Sequence, residues 1–162
     1  RLTMIGGKLR IYVDSREQKP YKFTRYPVET AERRLKTGDY CVAEDGREMG
    51  ENGFDAHYAI ERKTSDDFLK SITWDRDRFE DELARADSMA HRMPIIVERP
   101  FAYFEDNRYR KDVHPNSVIA TIETHPEAHD VGYFFQRDRT KGEQLTYEFL
   151  RWRRNKAQTQ RE

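Results

Sequence analysis

Residues 94–98 read Pro-Ile-Ile-Val-Glu, an apolar run closed by an acid in a chain whose residues are 37% charged. Four apolar residues in a row predict a strand buried on both faces, as in the interior of a parallel sheet. Leu9–Asp14 has a mostly apolar core, also ends in an acid, and predicts a second buried strand. Residues 39–43, 57–63 and 131–135 predict three more. The acidic stretch 44–55, with Gly46, Gly50 and Gly53, predicts a solvated loop that makes 39–43 and 57–63 a hairpin.

Helical signals alternate with these strands. Residues 29–36 predict a short helix ended by Gly38. Thr64 is placed to cap a helix, with Asp66 and Asp67 in its first turn and Phe68, Leu69 and Ile72 on its apolar side. Residues 76–91 predict a longer helix whose Phe79, Leu83, Ala86 and Ala90 form one stripe at helical spacing. Pro115 opens a helix of about ten residues with Val118, Ile119 and Ile122 on one side. Leu145, Phe149 and Trp152 give the last helix an apolar stripe. The expected class is α/β, with a mixed central sheet flanked by helices.

A length of 162 residues suits one domain, with no internal repeat. Cys41 is the single cysteine, so no internal disulfide is possible, and a reducing, intracellular compartment is expected. Cys41 itself is expected to fill core beside Tyr40. A mean hydropathy of −1.07 with 12% aromatic residues argues against disorder. No apolar run approaches the roughly 20 residues of a membrane span, and no secretory pattern is present. The first residue is Arg1, from which the natural start is expected to lie upstream. Net charge is zero, which counts against nucleic-acid binding unless the charges segregate. They do so in part: residues 151–162 hold Arg151, Arg153, Arg154, Lys156 and Arg161 against Glu162 alone, while acids gather at 44–55 and 75–87.

In a strand over 57–63, Glu61 and Lys63 share a face and Arg62 points away. The hairpin brings Asp39 beside them. An Asp followed by Glu-x-Lys on the neighbouring strand is the arrangement of the PD-(D/E)xK nucleases. Its chemistry explains the residue types. Hard divalent ions such as Mg²⁺ take carboxylate oxygens. An ion on Asp39 and Glu61 would polarise a phosphate and lower the pKa of a bound water. Lys63 would orient that water and stabilise the anionic transition state. Asp14, ending a strand at the same sheet edge, is a further candidate metal carboxylate. The ordinary alternative for Glu61 and Lys63 is a surface ion pair, worth about 0–1 kcal/mol.

The series Val13-Asp14-Ser15-Arg16-Glu17, Gly38-Asp39-Tyr40 and Glu61-Arg62-Lys63-Thr64-Ser65-Asp66-Asp67 resembles the nuclease domain of the XPF family of structure-specific endonucleases. E-R-K-x-x-x-D is that family's signature, and 94–98 matches its apolar strand ending in Glu. The resemblance covers roughly 9–155 and implies a restriction-endonuclease-like fold and Mg²⁺- or Mn²⁺-dependent cutting of branched, flapped or forked DNA in repair or recombination. It implies acidic site residues Asp14, Asp39, Glu61 and Asp67, with Lys63 as the catalytic lysine. Arg16 and Arg62 would contact phosphate or support the site. Asp67 holds the signature position, and Asp66 is left as a helix-start acid. Glu17 lies within D-x-R-E or is simply solvated. With ten residues after Trp152, no tandem helix-hairpin-helix domain of the kind many members carry is expected within this sequence, as in an excised fragment or a compact member.

Two further groups are candidates for DNA binding. Residues 99–112 form an expected loop in which Phe101, Tyr103, Phe104 and Tyr109 mix with Arg108, Arg110 and Lys111. They would stack bases and contact phosphates, or pack locally. Arg151, Arg153 and Arg154 would hold phosphates, or form a solvated helix end. His57, His91, His114, His125 and His129 lack zinc spacing. The rival readings are a non-catalytic DNA- or partner-binding module, and an exonuclease or junction resolvase on the same fold. Inactive family members usually lose several acids, which this chain retains. The family resemblance also implies a homodimer.

Overall fold

The computed structural model describes residues 8–42, 58–89, 91–109 and 112–160. The expected loop 44–55, Ala43, His57, Ala90, Arg110, Lys111 and Arg161 lie outside the described residues. In Leu9–Asp14 (β1) every side chain but Arg10 is buried, so its backbone groups need partners on both edges. Tyr40–Cys41 (β3) pairs antiparallel with one edge, and Val28–Arg33 (β2) pairs parallel with the other. Here the expected helix at 29–36 is corrected: the segment is a strand. Its helix-favouring Glu29, Ala31 and Glu32 are overridden by the unpaired edge of β1, and Val28 and Thr30 suit a pleated surface.

Ala59–Lys63 (β4) runs antiparallel to β3, as the hairpin predicts. Met93–Val97 (β5) is parallel to β4 and to Val131–Phe135 (β6). Among the described residues the six strands form one sheet in the order β2-β1-β3-β4-β5-β6. All five residues of β5 are buried, with Ile95 and Val97 in one core and Ile96 in the other. Both cores therefore close on the apolar run, and each of these side chains contributes about 1.5–3 kcal/mol of burial.

Ser65–Ser71 (α1) and Arg76–Ala86 (α2) connect β4 to β5, and Phe101–Glu105 (α3) and Pro115–Ala128 (α4) connect β5 to β6. Phe68, Leu69, Phe79, Leu83, Phe104 and Val118 cover one sheet face. Arg139–Gln160 (α5) covers the other through Leu150. The α/β class with a mixed sheet is what the alternation of elements predicts. Helix α2 ends five residues before the expected boundary, and α4 is longer than expected, carrying Pro126 in its last turn. The expected loop 99–112 contains α3, because Phe104 and Tyr109 turn into the core. In α5 Thr146, Leu150 and Arg153 are buried, and Leu145 and Phe149 of the expected stripe pack half-buried against the same core, while Trp152 is 53% exposed. No helix among the described residues is long and apolar enough to cross a membrane.

Gly38 sits at the entry to β3 with φ +81°, and a Cβ there would lie 2.7 Å from the Ala59 Cβ. This close approach places Asp39 against β4. Gly38→Ala is therefore expected to lower stability by about 1–3 kcal/mol, read as a reduced thermal midpoint. An unchanged midpoint would show that the turn relaxes freely.

Candidate active site

The β3–β4 register decides which side chains meet. Cys41 pairs with Ala59, and the Asp39 amide donates to the Ile60 carbonyl at 2.8 Å. Alternation then puts Asp39, Glu61 and Lys63 on the face covered by α1 and α2, and sends Arg62 to the opposite face. The carboxylate of Asp39 accepts the Arg62 backbone N–H at 2.7 Å, which locks it onto the neighbouring strand. Glu61 is 6% exposed, and its carboxylate lies 3.8 Å from the Lys63 ammonium. The ammonium also sits 4.7 Å above the Phe79 ring. These groups floor an open cleft of about 650 Å³.

Two buried like charges side by side are costly. Burial, then the negative charge of Glu17, pushes Asp39 up to about 7, against a hydrogen bond shared with Glu61 and the Arg62 N–H. Burial likewise raises Glu61 well above the usual carboxylate range, reinforced by Asp39 and by Glu82. The Asp39–Glu61 pair thus holds a shared proton near neutrality. Burial works against the Lys63 ammonium, but Glu61, Glu82, Asp39 and Asp67 outweigh it, and its pKa is raised.

Glu82 of α2 is a site residue that the motifs do not announce. It falls three residues after Phe79 and four before Ala86, on the buried side of its helix. A carboxylate on an apolar stripe was the available signal. Asp66 and Asp67 are exposed and line the cleft, and Thr64 caps α1 by accepting the Asp67 N–H at 3.1 Å.

Asp14 is placed differently from the expectation. Its two oxygens accept from the Arg16 guanidinium at 2.9 and 3.3 Å and from the Leu35 N–H at 2.9 Å. The cleft wall includes Arg16 but not Asp14. Asp14 thereby clamps Arg16 at the cleft. Arg16 also donates to the Leu35 carbonyl at 2.5 Å.

On the opposite face Arg62 is bidentate to Glu98, at 3.2 and 3.0 Å, and lies 3.6 Å from Glu17. Tyr21 donates to Glu98 at 2.6 Å, and Tyr40 donates to Glu17 at 3.2 Å. Burial and the Glu98 charge keep the Tyr21 hydroxyl protonated. Glu17 is therefore a paired, half-buried acid and not a solvated one. Arg62 borders the cleft, but its side chain is turned to Glu98 and Glu17, is only 7% exposed and supports the site from behind.

The remaining DNA-binding candidates are scattered. Arg108 is exposed and pairs with Asp106 at 3.0 Å. Arg153 is buried beneath α5, its guanidinium against His91 and 6.0 Å from the Tyr58 ring centre. Tyr58 and Met93 begin the strands whose other ends form the cleft, so Arg151, Arg153 and Arg154 lie about 20 Å from the Arg139 end of α5. Arg151 remains exposed there, and Arg153 is a packing residue. Closer to the chemistry, the cleft carries Lys19, Lys70 and Arg78, which motif reading passes over.

Two expectations follow from this geometry. For Asp39 the folded pKa is the higher one, so its contribution is fully present below the ordinary carboxylate value and is lost as pH rises through about 7. Metal-free protein should therefore lose stability relative to Asp39→Asn between pH 5 and 8 in chemical denaturation. A pH-independent difference contradicts the shared proton. Arg62→Ala strands Glu98 in a buried place and should cost about 3–5 kcal/mol in the same measurement.

The model of the ERCC4 domain matches residues 13–150. No curated protein sequence matches the chain significantly. The solved XPF from Aeropyrum pernix is 25% identical, with a TM-score of 0.67 over 88% of this chain and 60% of its own. XPF from the same organism in complex with DNA is 27% identical, with a TM-score of 0.62 over 89% of this chain and 64% of its own. The chain thus spans under two thirds of these relatives. With the domain match running from Val13 to Leu150, through every motif of the cleft, the chain belongs to the ERCC4-domain family of XPF nucleases.

Proposed function

We propose that the chain is a Mg²⁺- or Mn²⁺-dependent endonuclease that hydrolyses phosphodiester bonds where single- and double-stranded DNA meet, in repair or recombination. The observation that carries this reading is the placing of half-buried Asp39 and buried Glu61 side by side with Lys63 at the floor of an open cleft. The donor set fits the ion. Oxygen ligands suit Mg²⁺ and Mn²⁺, and one divalent charge offsets two carboxylates that otherwise share a proton. Among the described residues no three His, Cys, Asp or Glu side chains form a metal-binding group. Two protein carboxylates with water and phosphate oxygens are the usual complement for Mg²⁺.

Asp39 and Glu61 would hold the ion. When bound, it supplies a polarised phosphate and an acidified water. Lys63 keeps its proton, so it acts as a donor that orients the attacking water and offsets charge on the phosphate oxygens. Arg16, fixed by Asp14, and the exposed Lys19, Lys70 and Arg78 neutralise flanking phosphates. Six cationic and six acidic side chains line the cleft, so its wall carries no net formal charge. The ion that completes the chemistry also makes the cleft attractive to a polyanion. The DNA complex of the XPF relative supports the DNA assignment.

The test is cleavage of labelled flap, fork, four-way and linear duplex DNA with Mg²⁺ or Mn²⁺. Glu61→Gln and Lys63→Ala should each lower the rate by at least ~10²-fold. Loss of all cutting by the wild type, or equal cutting by the variants, refutes the reading. Metal affinity by calorimetry should rise as pH passes through 7, because the shared proton must leave Asp39 and Glu61.

A further inference from the structure

Trp74 lies in the turn between α1 and α2 and is 87% exposed, the most exposed large apolar side chain among the described residues. It lines a second groove of about 580 Å³ with Lys70, Thr73, Asp112 and Val113. The wall of this groove is mainly apolar, whereas that of the catalytic cleft is mainly polar. Lys70 lines both, so the two spaces meet at its side chain. Arg78, 81% exposed, follows Trp74 by four residues and faces the cleft.

We propose that Trp74 is a stacking platform for an unpaired base of the DNA strand whose phosphate lies in the cleft. This rests on the DNA-cleaving reading above and assigns it a single-strand subsite. A nucleobase is the occupant that matches both halves of the place. Its flat face needs an apolar partner, and its phosphates meet Lys70 and Arg78 on the cleft side, exposed cations that share the single carboxylate of Asp75 at 3.6 and 3.1 Å. A paired base inside the duplex has both faces already stacked and gains nothing from Trp74. An unpaired one gains a full aromatic contact, without regard to sequence. The position of Trp74 beside the cleft thus makes strand separation a feature that the chain itself can sense.

The sequence holds two tryptophans, so Trp152→Phe leaves Trp74 as the sole indole reporter. Its emission is followed while the protein is titrated in Ca²⁺ buffer with a flapped duplex and with a blunt duplex of equal charge. The DNA is recovered afterwards to confirm that it is intact. Quenching by the flap and not by the blunt duplex is the expected result. Trp74→Ala should weaken flap binding roughly ten- to a hundredfold. Blunt-duplex affinity and the thermal midpoint should stay unchanged, and Trp74→Phe should restore part of the loss. Silent Trp74 emission on a bound flap overturns the proposal, as does equal weakening of both DNAs. If the wild type cuts DNA while Trp74 is silent, only this inference falls. If the wild type neither binds nor cuts any DNA, the nuclease reading falls with it.

Discussion

Two carboxylates forced together at low exposure set the terms for the rest of the structure. Asp39 and Glu61 meet because β3 and β4 pair in one register and Gly38 lets the chain enter β3 without a side chain in the way. A slip of one residue would send Glu61 and Lys63 to the other face and exchange them for Arg62. The repulsion that results is not removed by the fold. Lys63 offsets part of it, a shared proton offsets more, and Glu82 adds to it. Such a site stores a demand for positive charge, which is the property that a metal-dependent nuclease needs.

The sheet acts as a partition between this demand and the interactions that hold the site still. Arg62 belongs to the same short strand as Glu61 and Lys63, yet its partners Glu98 and Tyr21 lie on the far side, with Glu17 reaching it from the cleft wall. Gly142 of α5 allows the approach, since a Cβ there would come 2.5 Å from the Tyr21 hydroxyl. The bidentate pair fixes β4 relative to the end of β5, and Arg139 covers the Tyr21 ring at 4.8 Å. Because the pair is buried, its stabilising value depends on every oxygen of Glu98 being used. Tyr21 and Arg62 between them use both.

Much of this was legible in the sequence, and the failures have a common physical origin. The apolar run 94–98 announced a strand buried on both faces, and E-R-K announced its own alternation. Both are local patterns with a fixed period. Residues 29–36 misled because Glu29, Ala31 and Glu32 favour a helix locally, while the deciding force was an edge of β1 in need of a partner, which no local window contains. Glu82 stayed hidden because its partner is 21 positions away, on β4. Asp14 carried the right residue type at the right edge, but Arg16 two residues later and the Leu35 amide claimed its oxygens. Arg153 sat in a basic tail and packed inward against Tyr58. The motif finds the acids, and only tertiary contacts decide which acids remain available.

Overall neutrality is explained by the same division. Several acids near the site are spent internally: Asp14 on Arg16, and Glu98 and Glu17 on Arg62. The exposed cations Lys19, Lys70 and Arg78 are set at the cleft, the last two sharing one carboxylate, Asp75. Net charge therefore says little about attraction to DNA here, because what a polyanion meets is the local field of the cleft and not the whole-chain sum. In that field the two inner carboxylates dominate when bare and cease to dominate once their charge is matched. On the metal-dependent reading proposed above, phosphate attraction and catalytic competence depend on one event, and a strand would be drawn in only where it can also be cut.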